Sequence, residues 1–229
     1  KPDIWTRRRV LLSTLPNLQE IDLQIRTNIN SAFITACKQI AQRRLLKKIS
    51  LCIDRELSIN FQKGLETFKD CKLTSFSLKT FIRKAQTLKT ISEFIQSMGH
   101  LESLELQISK FTLFSKDDHI EEVCKQINKI QALHSLRLNF YASTEVSKPA
   151  VIPDFLPSLS DLFKKPIKIE ILSLTCNHLD PSEALQNIVS ALKNSENFLT
   201  HLTLDFGHFP CTQKTYKLIS ELMQNLLNI

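Results

Sequence analysis

Glycine is scarce in this sequence, which has 3 glycines and 14 phenylalanines among 229 residues. Sandwiches and barrels of antiparallel strands need many glycines in their turns, so the composition favours helices and strands joined by polar connections. No apolar run approaches the roughly 20 residues of a membrane span. Residues 1–9 lead into no apolar segment with the small-residue cleavage site of a signal peptide. We therefore expect no membrane partner.

The cysteines show no pattern of metal binding or disulfide pairing. All six are scattered, at positions 37, 52, 71, 124, 176 and 211. They form no C-x-x-C motif, and their spacing matches no zinc ligand set. The sequence also has no N-x-S/T glycosylation sequon. We therefore expect reduced, mostly buried thiols and an intracellular location.

Signature motifs of common enzyme classes are missing. The sequence has no G-x-x-x-x-G-K-[ST], G-x-G-x-x-G, G-x-S-x-G or H-E-x-x-H. His201 and Asp205 share one predicted strand and suggest a catalytic base and the group that orients it. A rise of about 3.3 Å per residue places them roughly 13 Å apart, which is too far for a hydrogen bond. The sequence therefore predicts a protein that is not an enzyme, with no cofactor, no metal and no small-molecule substrate.

What the sequence does contain is a repeated apolar pattern. Residues 169–179 fit L-x-x-L-x-L-x-x-N-x-L, with Ile169 in the first place. If that first residue is position 1, positions 1, 4 and 6 are apolar in seven consecutive units. The units begin at Leu18, Leu46, Leu73, Leu101, Leu133, Ile169 and Leu199, so the steps between them are 28, 27, 28, 32, 36 and 30 residues.

Each unit is predicted to be one strand followed by one helix. Positions 4, 6 and 8 alternate with polar positions, as in a strand with one buried face. Between strands, apolar residues recur at every third or fourth place, as in an amphipathic helix. Because each strand restarts after a helix, we expect parallel strands. The helical stripes are Phe33/Cys37/Ile40/Ala41, Phe61/Leu65/Phe68, Leu88/Ile91/Phe94/Ile95/Met98, Ile120/Val123/Cys124/Ile127/Ile130, Phe155/Leu159/Leu162, Leu185/Ile188/Val189/Leu192 and Leu218/Leu222/Leu226.

This periodicity resembles the ribonuclease-inhibitor-like class of leucine-rich repeats, whose units have about this length and a full helix each. The resemblance implies an α/β fold, a right-handed curved leucine-rich-repeat solenoid with a parallel β-sheet on the concave face and α-helices on the convex face. It covers residues 1–229 as a single domain of about seven full repeats. Incomplete units at both ends indicate a fragment of a longer array, with Leu226 and Ile229 in an eighth strand. Position 9 departs from the class, because only Asn177 is the expected asparagine.

Most members of this class act by binding other proteins. The resemblance therefore implies a non-enzymatic protein–protein interaction scaffold or a subunit of a larger intracellular assembly. We expect a cytoplasmic protein, and an assembly of the cytoskeletal or ciliary kind. A regulator of an enzyme is an alternative, as an inhibitor, a GTPase activator or a ubiquitin-ligase substrate receptor.

Two surfaces are candidates for partner binding. The concave face displays positions 3, 5 and 7, which are polar, often small and free of aromatic residues, whereas interface hot spots are enriched in Trp, Tyr and Arg. The candidate residues on this face are Glu20, Asp22, Glu105, Arg137 and Asp205.

The second surface is the rim formed by the loops that follow the strands. Residues 109–116 and 141–153 are insertions in the two longest units, and adjacent insertions on one face often mark a binding surface. The candidate residues are Phe111, Phe114, Tyr141, His208 and Phe209. A partner would bury these side chains; the alternative is that they fold back and cover the end of the core.

Basic clusters occur at residues 7–9, 43–48 and 164–168, in a chain with a net charge of +7. Cations near helix ends interact favourably with the helix dipole and with water, which accounts for the clusters without a ligand. The alternative is a nucleic-acid-associated subunit that binds through these basic helix ends, although no RNA-binding motif supports it.

Overall fold

The computed structural model describes residues 17–25, 31–56, 59–81, 85–111, 119–142, 170–177, 182, 185–186, 188–190, 200–205 and 212–227. Strands and helices alternate along much of this chain. The strands are β1 (Glu20–Ile25), β2 (Lys48–Glu56), β3 (Ser75–Phe81), β4 (Ser103–Phe111), β5 (Ser135–Ala142), β6 (Ile171–Asn177) and β7 (His201–Asp205). The helices are α1 (Ser31–Ala41), α2 (Ile59–Glu66), α3 (Ala85–Gln96), α4 (His119–Ile127) and α5 (Gln213–Leu227). Residues 182, 185–186 and 188–190 are also helical.

The seven strands form one parallel sheet in which neighbours in the chain are neighbours in space, in the order β1 to β7. The predicted strands and their parallel direction are therefore confirmed. The register follows the repeat: position 4 of each unit pairs with position 4 of the next, from Ile21 beside Ile49 to Leu172 beside Leu202.

The core lies between one face of the sheet and the helices. The described side chains at positions 4, 6 and 8 of β2 to β6 are buried; Ile49, Leu51 and Ile53 are at most 1% exposed. These side chains form one apolar cluster with the helical stripes. Every described member of the predicted stripes is buried or packs on this cluster. The side chains of Ile120, Phe155, Leu159, Leu162, Leu192 and Leu226 lie outside the described residues.

Three element ends bear on the predictions. Leu226 lies within α5, which runs to Leu227, so the stripe predicted through Leu218, Leu222 and Leu226 belongs to a helix. Residues 228–229, where the pattern would begin the eighth strand, lie outside the described residues. In addition, β4 and β5 run on to Phe111 and Ala142, past the points where the predicted insertions begin.

The start of α5 is capped by two threonines. Thr215 N donates to Thr212 Oγ1 at 3.2 Å, and Thr212 N donates to Thr215 Oγ1 at 3.3 Å. This reciprocal arrangement satisfies amide groups that the first turn leaves without helical partners. It explains why the helix begins at Gln213.

Gly64 allows α2 to pack closely against α1. A Cβ atom at Gly64 would lie 2.3 Å from Phe33 Cε1 and 3.3 Å from Cys37 Sγ. The Phe33 ring is 1% exposed and stacks on Phe61 with a centroid distance of 6.3 Å, so it has little room to move. The absence of a side chain at position 64 is therefore required by packing.

We predict that Gly64→Ala lowers the free energy of unfolding by about 1–3 kcal/mol through overpacking, despite the better helix propensity of alanine. Urea unfolding followed by circular dichroism would measure the change. Gly99→Ala is the matched control, because a Cβ atom at Gly99 has no neighbour within 4 Å. Equal stabilities of the two variants would contradict this account of Gly64.

Thr80 is a polar residue in the buried layer. It occupies position 8, where other units have Ile25, Ile53 and Ile108, and it is 1% exposed. Its Oγ1 is buried with no hydrogen-bond partner in the described part of the chain. Burial of an unpaired hydroxyl opposes folding.

Thr80→Val should raise the free energy of unfolding by about 1 kcal/mol, because it replaces an unpaired hydroxyl with a methyl group of similar shape. Thr67 is the matched contrast, since its hydroxyl donates to Gly64 O at 2.7 Å. Thr67→Val should lower the free energy by about 1 kcal/mol. Denaturant melts of both variants test the contrast, and a loss of stability in Thr80→Val would refute it.

Candidate functional site

The face of the sheet opposite the helices, here called the open face, carries positions 3, 5 and 7 of each unit. Its described side chains are exposed or half-buried, except that of Thr175, which is buried. All five residues predicted for this face lie on it by their position in the strands. Glu20, Asp22, Arg137 and Asp205 are exposed, and Glu105 is half-buried.

Glu105 and Arg137 are the two predicted residues that the structure brings together. They are paired neighbours on β4 and β5, near the middle of the sheet. Ser77 Oγ donates a hydrogen bond to Glu105 Oε2 at 3.3 Å, which helps to orient the carboxylate. Opposite charges at paired positions of adjacent strands attract each other, so this part of the open face carries unlike charges on neighbouring strands.

The other three residues lie at the edges of the sheet. Glu20 forms an ion pair with Lys48, with 3.3 Å between Oε2 and Nζ and side-chain exposures of 67% and 49%; such exposed pairs contribute at most about 1 kcal/mol. Asp22 on β1 and Asp205 on β7 belong to opposite edge strands. With strands about 4.8 Å apart, they are on the order of 30 Å from each other. The five residues therefore do not make up a single site.

Two of the predicted rim aromatics are brought to the same end of β4 and β5. Phe111 is the last residue of β4 and pairs with Ala142, while Tyr141 pairs with Ser109. Both are therefore parts of strands rather than of loops. The other three, Phe114, His208 and Phe209, lie outside the described residues, as do residues 112–116 and 143–153 of the two insertions.

A group of cations, here called the basic edge, lies in the turns that lead into β2 and β3. It consists of Arg43, Arg44, Lys47, Lys69 and Lys72, of which only Arg43 is half-buried and the rest are exposed. Lys47 N donates to Gln19 O at 2.8 Å, and Thr74 N donates to Lys47 O at 2.9 Å, so consecutive turns lie side by side.

The sequence clusters did not include Lys69 and Lys72, which come from the following unit. Aligning the turns of successive units would have found them. Asp70 adds one negative charge among these cations. The predicted basic residues 7–9 and 164–168 lie outside the described part of the chain.

The thiols at Cys37 and Cys71 are poorly suited to nucleophilic chemistry. Burial raises the pKa of the Cys37 thiol to about 12. Burial, followed by the Asp70 carboxylate, raises the pKa of Cys71, whose Sγ lies 3.5 Å from Ala41 O. The thiolate is the reactive form of cysteine, so both groups are held in the unreactive state. Within the described part of the chain, none of Cys37, Cys52, Cys71 and Cys124 takes part in a disulfide bond.

The described residues contain no group of three or more His, Cys, Asp or Glu side chains that could hold a metal ion. None of the helices within them has the length and apolar character needed to cross a membrane.

No protein-family model matches the chain, and no curated protein matches it either.

The buried Cys37 thiol should make stability fall at alkaline pH. The unfolded thiol loses its proton near pH 9, whereas the folded one keeps it to about pH 12. The contribution of the protonated Cys37 thiol to the free energy of unfolding is therefore complete below pH 9 and is lost as pH rises from about 9 to 12. Between pH 9 and 10.5 the loss should be about 2 kcal/mol.

Urea unfolding at several pH values would measure this slope in the wild type and in Cys37→Ala. The variant should be less stable at pH 7 but should show a shallower decline above pH 9. Parallel curves for the two proteins would show that Cys37 does not contribute to the pH dependence.

Proposed function

We propose that the chain is a divergent leucine-rich-repeat solenoid of the ribonuclease-inhibitor-like class, and that it acts inside the cell as a non-enzymatic scaffold or complex subunit by binding other proteins. The observation that supports this most is the single parallel sheet with its strands in chain order. Repeated strand–helix units stacked in this way produce extended surfaces on which partners bind. The four described cysteines form no disulfide, which agrees with an intracellular location.

The contact surface we propose is centred on β4 and β5. Glu105 and Arg137 supply paired opposite charges on the open face, which favour one orientation of a partner. Phe111 and Tyr141 lie further along the same two strands, roughly 20 Å and 13 Å beyond the charged pair. Arg and Tyr are among the residues most enriched at binding hot spots. A partner that spans both features would have an aromatic anchor and a charged contact. That partner could itself be an enzyme under regulation.

The basic edge supports a second candidate function, the binding of a polyanion such as nucleic acid. Its cations come from two consecutive turns of the sheet, and phosphate contacts depend on such clusters. We rank it second because the basic edge includes no aromatic residue on which bases could stack.

Purification of the tagged chain from nuclease-treated extract tests the first proposal. Arg137→Glu and Tyr141→Ala should each reduce the recovery of the same bound proteins by about tenfold or more, since hot-spot residues contribute about 2 kcal/mol or more. Lys89→Glu is the matched control, because Lys89 is exposed on α3 in the helix layer. It should leave recovery unchanged.

Three outcomes decide between the candidates. Recovery that Arg137→Glu and Tyr141→Ala leave intact would reject β4 and β5 as the contact surface. Recovery lost only in Lys89→Glu would place the contact on the helices. Loss of all bound protein on nuclease treatment, together with sensitivity to Lys47→Glu and Lys72→Glu, would favour the polyanion instead.

A further inference from the structure

The turn between α1 and β2 carries a leucine at its tip. Leu46 N donates a hydrogen bond to Arg43 O at 3.1 Å, which closes a β-turn with Arg44 and Leu45 as its central residues. Leu45 is 46% exposed, whereas Leu46 is 3% exposed and belongs to the core. The central positions of turns favour Gly, Asn, Asp and Ser, so turn geometry does not account for an exposed leucine at this place.

The equivalent turn before β4 carries different residues. Leu101 N donates to Met98 O at 3.2 Å, so Gly99 and His100 occupy the central positions there. Both turns connect the end of a helical stretch to the first residue of a repeat unit. The fold therefore accepts small and polar residues at this place, and the leucine of the turn before β2 is a feature of its surface.

Cations lie around this turn. Arg44 shares the tip with Leu45, and Lys47 follows in the same turn. Thr74 N donates to Lys47 O at 2.9 Å, which aligns the next turn with this one. Lys72 precedes Thr74 by two residues, as Leu45 precedes Lys47, so the two side chains occupy equivalent places in adjacent turns. Adjacent turns follow the strand spacing of about 4.8 Å, and Leu45 therefore lies between exposed cations.

The positive charge is concentrated on these two turns. The basic edge comprises five cations and one carboxylate, that of Asp70. In the following turn, Glu102 N donates to Thr74 O at 2.8 Å, so an exposed glutamate takes the place that Lys47 has two turns earlier. The basic edge is thus a compact patch with an apolar side chain within it. The net charge of +7 adds a longer-range attraction to anionic surfaces.

A ligand of this patch has to accept cations and a protruding apolar side chain together. The backbone of a nucleic acid offers phosphates but no apolar site among them. A folded acidic protein would need a pocket shaped for one leucine. The surface of an anionic membrane meets both requirements, because its headgroups attract Lys and Arg and the boundary of its acyl chains, about 5–10 Å deep, accepts apolar side chains without a preformed pocket.

We propose that the basic edge binds the surface of an anionic membrane, with Leu45 inserted between the lipid headgroups and the surrounding cations in contact with their negative charges. Long basic side chains suit this position, because their aliphatic parts lie along apolar surface while the charged ends stay in water. The cytoplasmic leaflet, which carries anionic lipids, is the membrane that an intracellular protein meets.

This binding is peripheral and requires no membrane-spanning helix. The expectation that the chain has no membrane partner came from the lack of a spanning segment, which does not bear on contact with a membrane surface. The basic edge consists of turns before β2 and β3, whereas the protein contact proposed above lies on β4 and β5. The two proposals are therefore independent, and the membrane takes the place of nucleic acid as the polyanion of the basic edge.

Co-sedimentation of the purified chain with lipid vesicles tests the proposal. Vesicles of phosphatidylcholine with about 30% phosphatidylserine should bind the protein, and vesicles of phosphatidylcholine alone should not. An increase in salt from about 0.1 M to about 1 M should release it, because the Debye length falls from about 10 Å to about 3 Å. Equal binding to both kinds of vesicle, or binding to neither, overturns the proposal.

Substitutions test the residues that make the contact. Lys47→Gln and Lys72→Gln should each weaken binding to the anionic vesicles by about fivefold, the factor that one cation contributes near such a surface. Leu45→Asn should weaken it by about fivefold or more, because apolar atoms leave the membrane interface. Lys89→Gln is the matched control, since Lys89 is exposed on α3 in the helix layer, and it should bind like the wild type. Unchanged far-ultraviolet circular dichroism would show that each variant is folded.

Leu45→Asn also separates a membrane from a nucleic acid. Binding to a duplex RNA of about 20 base pairs depends on phosphate contacts and should be insensitive to this substitution, whereas binding to anionic vesicles should fall. If Leu45→Asn binds the anionic vesicles as well as the wild type does, insertion is rejected. If the wild type binds the RNA but not the vesicles, the polyanion is a nucleic acid and the proposal is overturned. Neither result bears on protein recovery through β4 and β5, which is measured with Arg137→Glu.

Discussion

The lateral register of apolar side chains across the parallel sheet is the constraint on which the rest of the structure depends. Leu51, Leu78, Leu106 and Leu138 lie side by side in one row and are at most 1% exposed. A slip of one residue in any strand would turn its apolar residues toward the open face and its polar ones toward the core. The burial of these rows therefore holds every strand in place. The polar residues between them are aligned as a consequence, and the composition of the open face follows from the packing of the opposite face.

Differences in unit length are absorbed outside this register. The units that begin at Leu101 and Leu133 span 32 and 36 residues, yet the pairing of β4 with β5 and of β5 with β6 keeps position 4 beside position 4. The pairing becomes irregular only between Ser109 and Phe111, after the buried positions. Additional residues after the strands cost little in loop entropy, so these ends are free to acquire binding residues without disturbing the core.

The helix layer differs between its interior and its last member. Between α1 and α2 the packing is close, with Gly64 against the Phe33 ring, and the groove beside them is lined mainly by polar residues. Helix α5 instead exposes Tyr216, Ile219 and Met223. Exposed apolar side chains are less favourable in water than polar ones. The described helices therefore differ in the chemistry of their exposed sides.

Local periodicity was enough to predict seven strands, their parallel direction and nearly all described core residues. The apolar residues of a half-buried strand recur every two positions and those of a half-buried helix every 3.6, so both patterns are visible in the sequence. It could not predict which surface residues meet, since partners such as Glu105 and Arg137 are a whole unit apart in sequence and are joined only by the register. The same applies to Lys72, which joins the basic edge from the next unit. Leu226 fitted both the last helical stripe and the first position of a further unit, and it lies in helix α5. The amino-acid sequence by itself thus determined the direction of the strands and which faces are buried. Only the tertiary structure decided which exposed side chains share a surface, because lateral distance across the sheet is not encoded by distance along the chain.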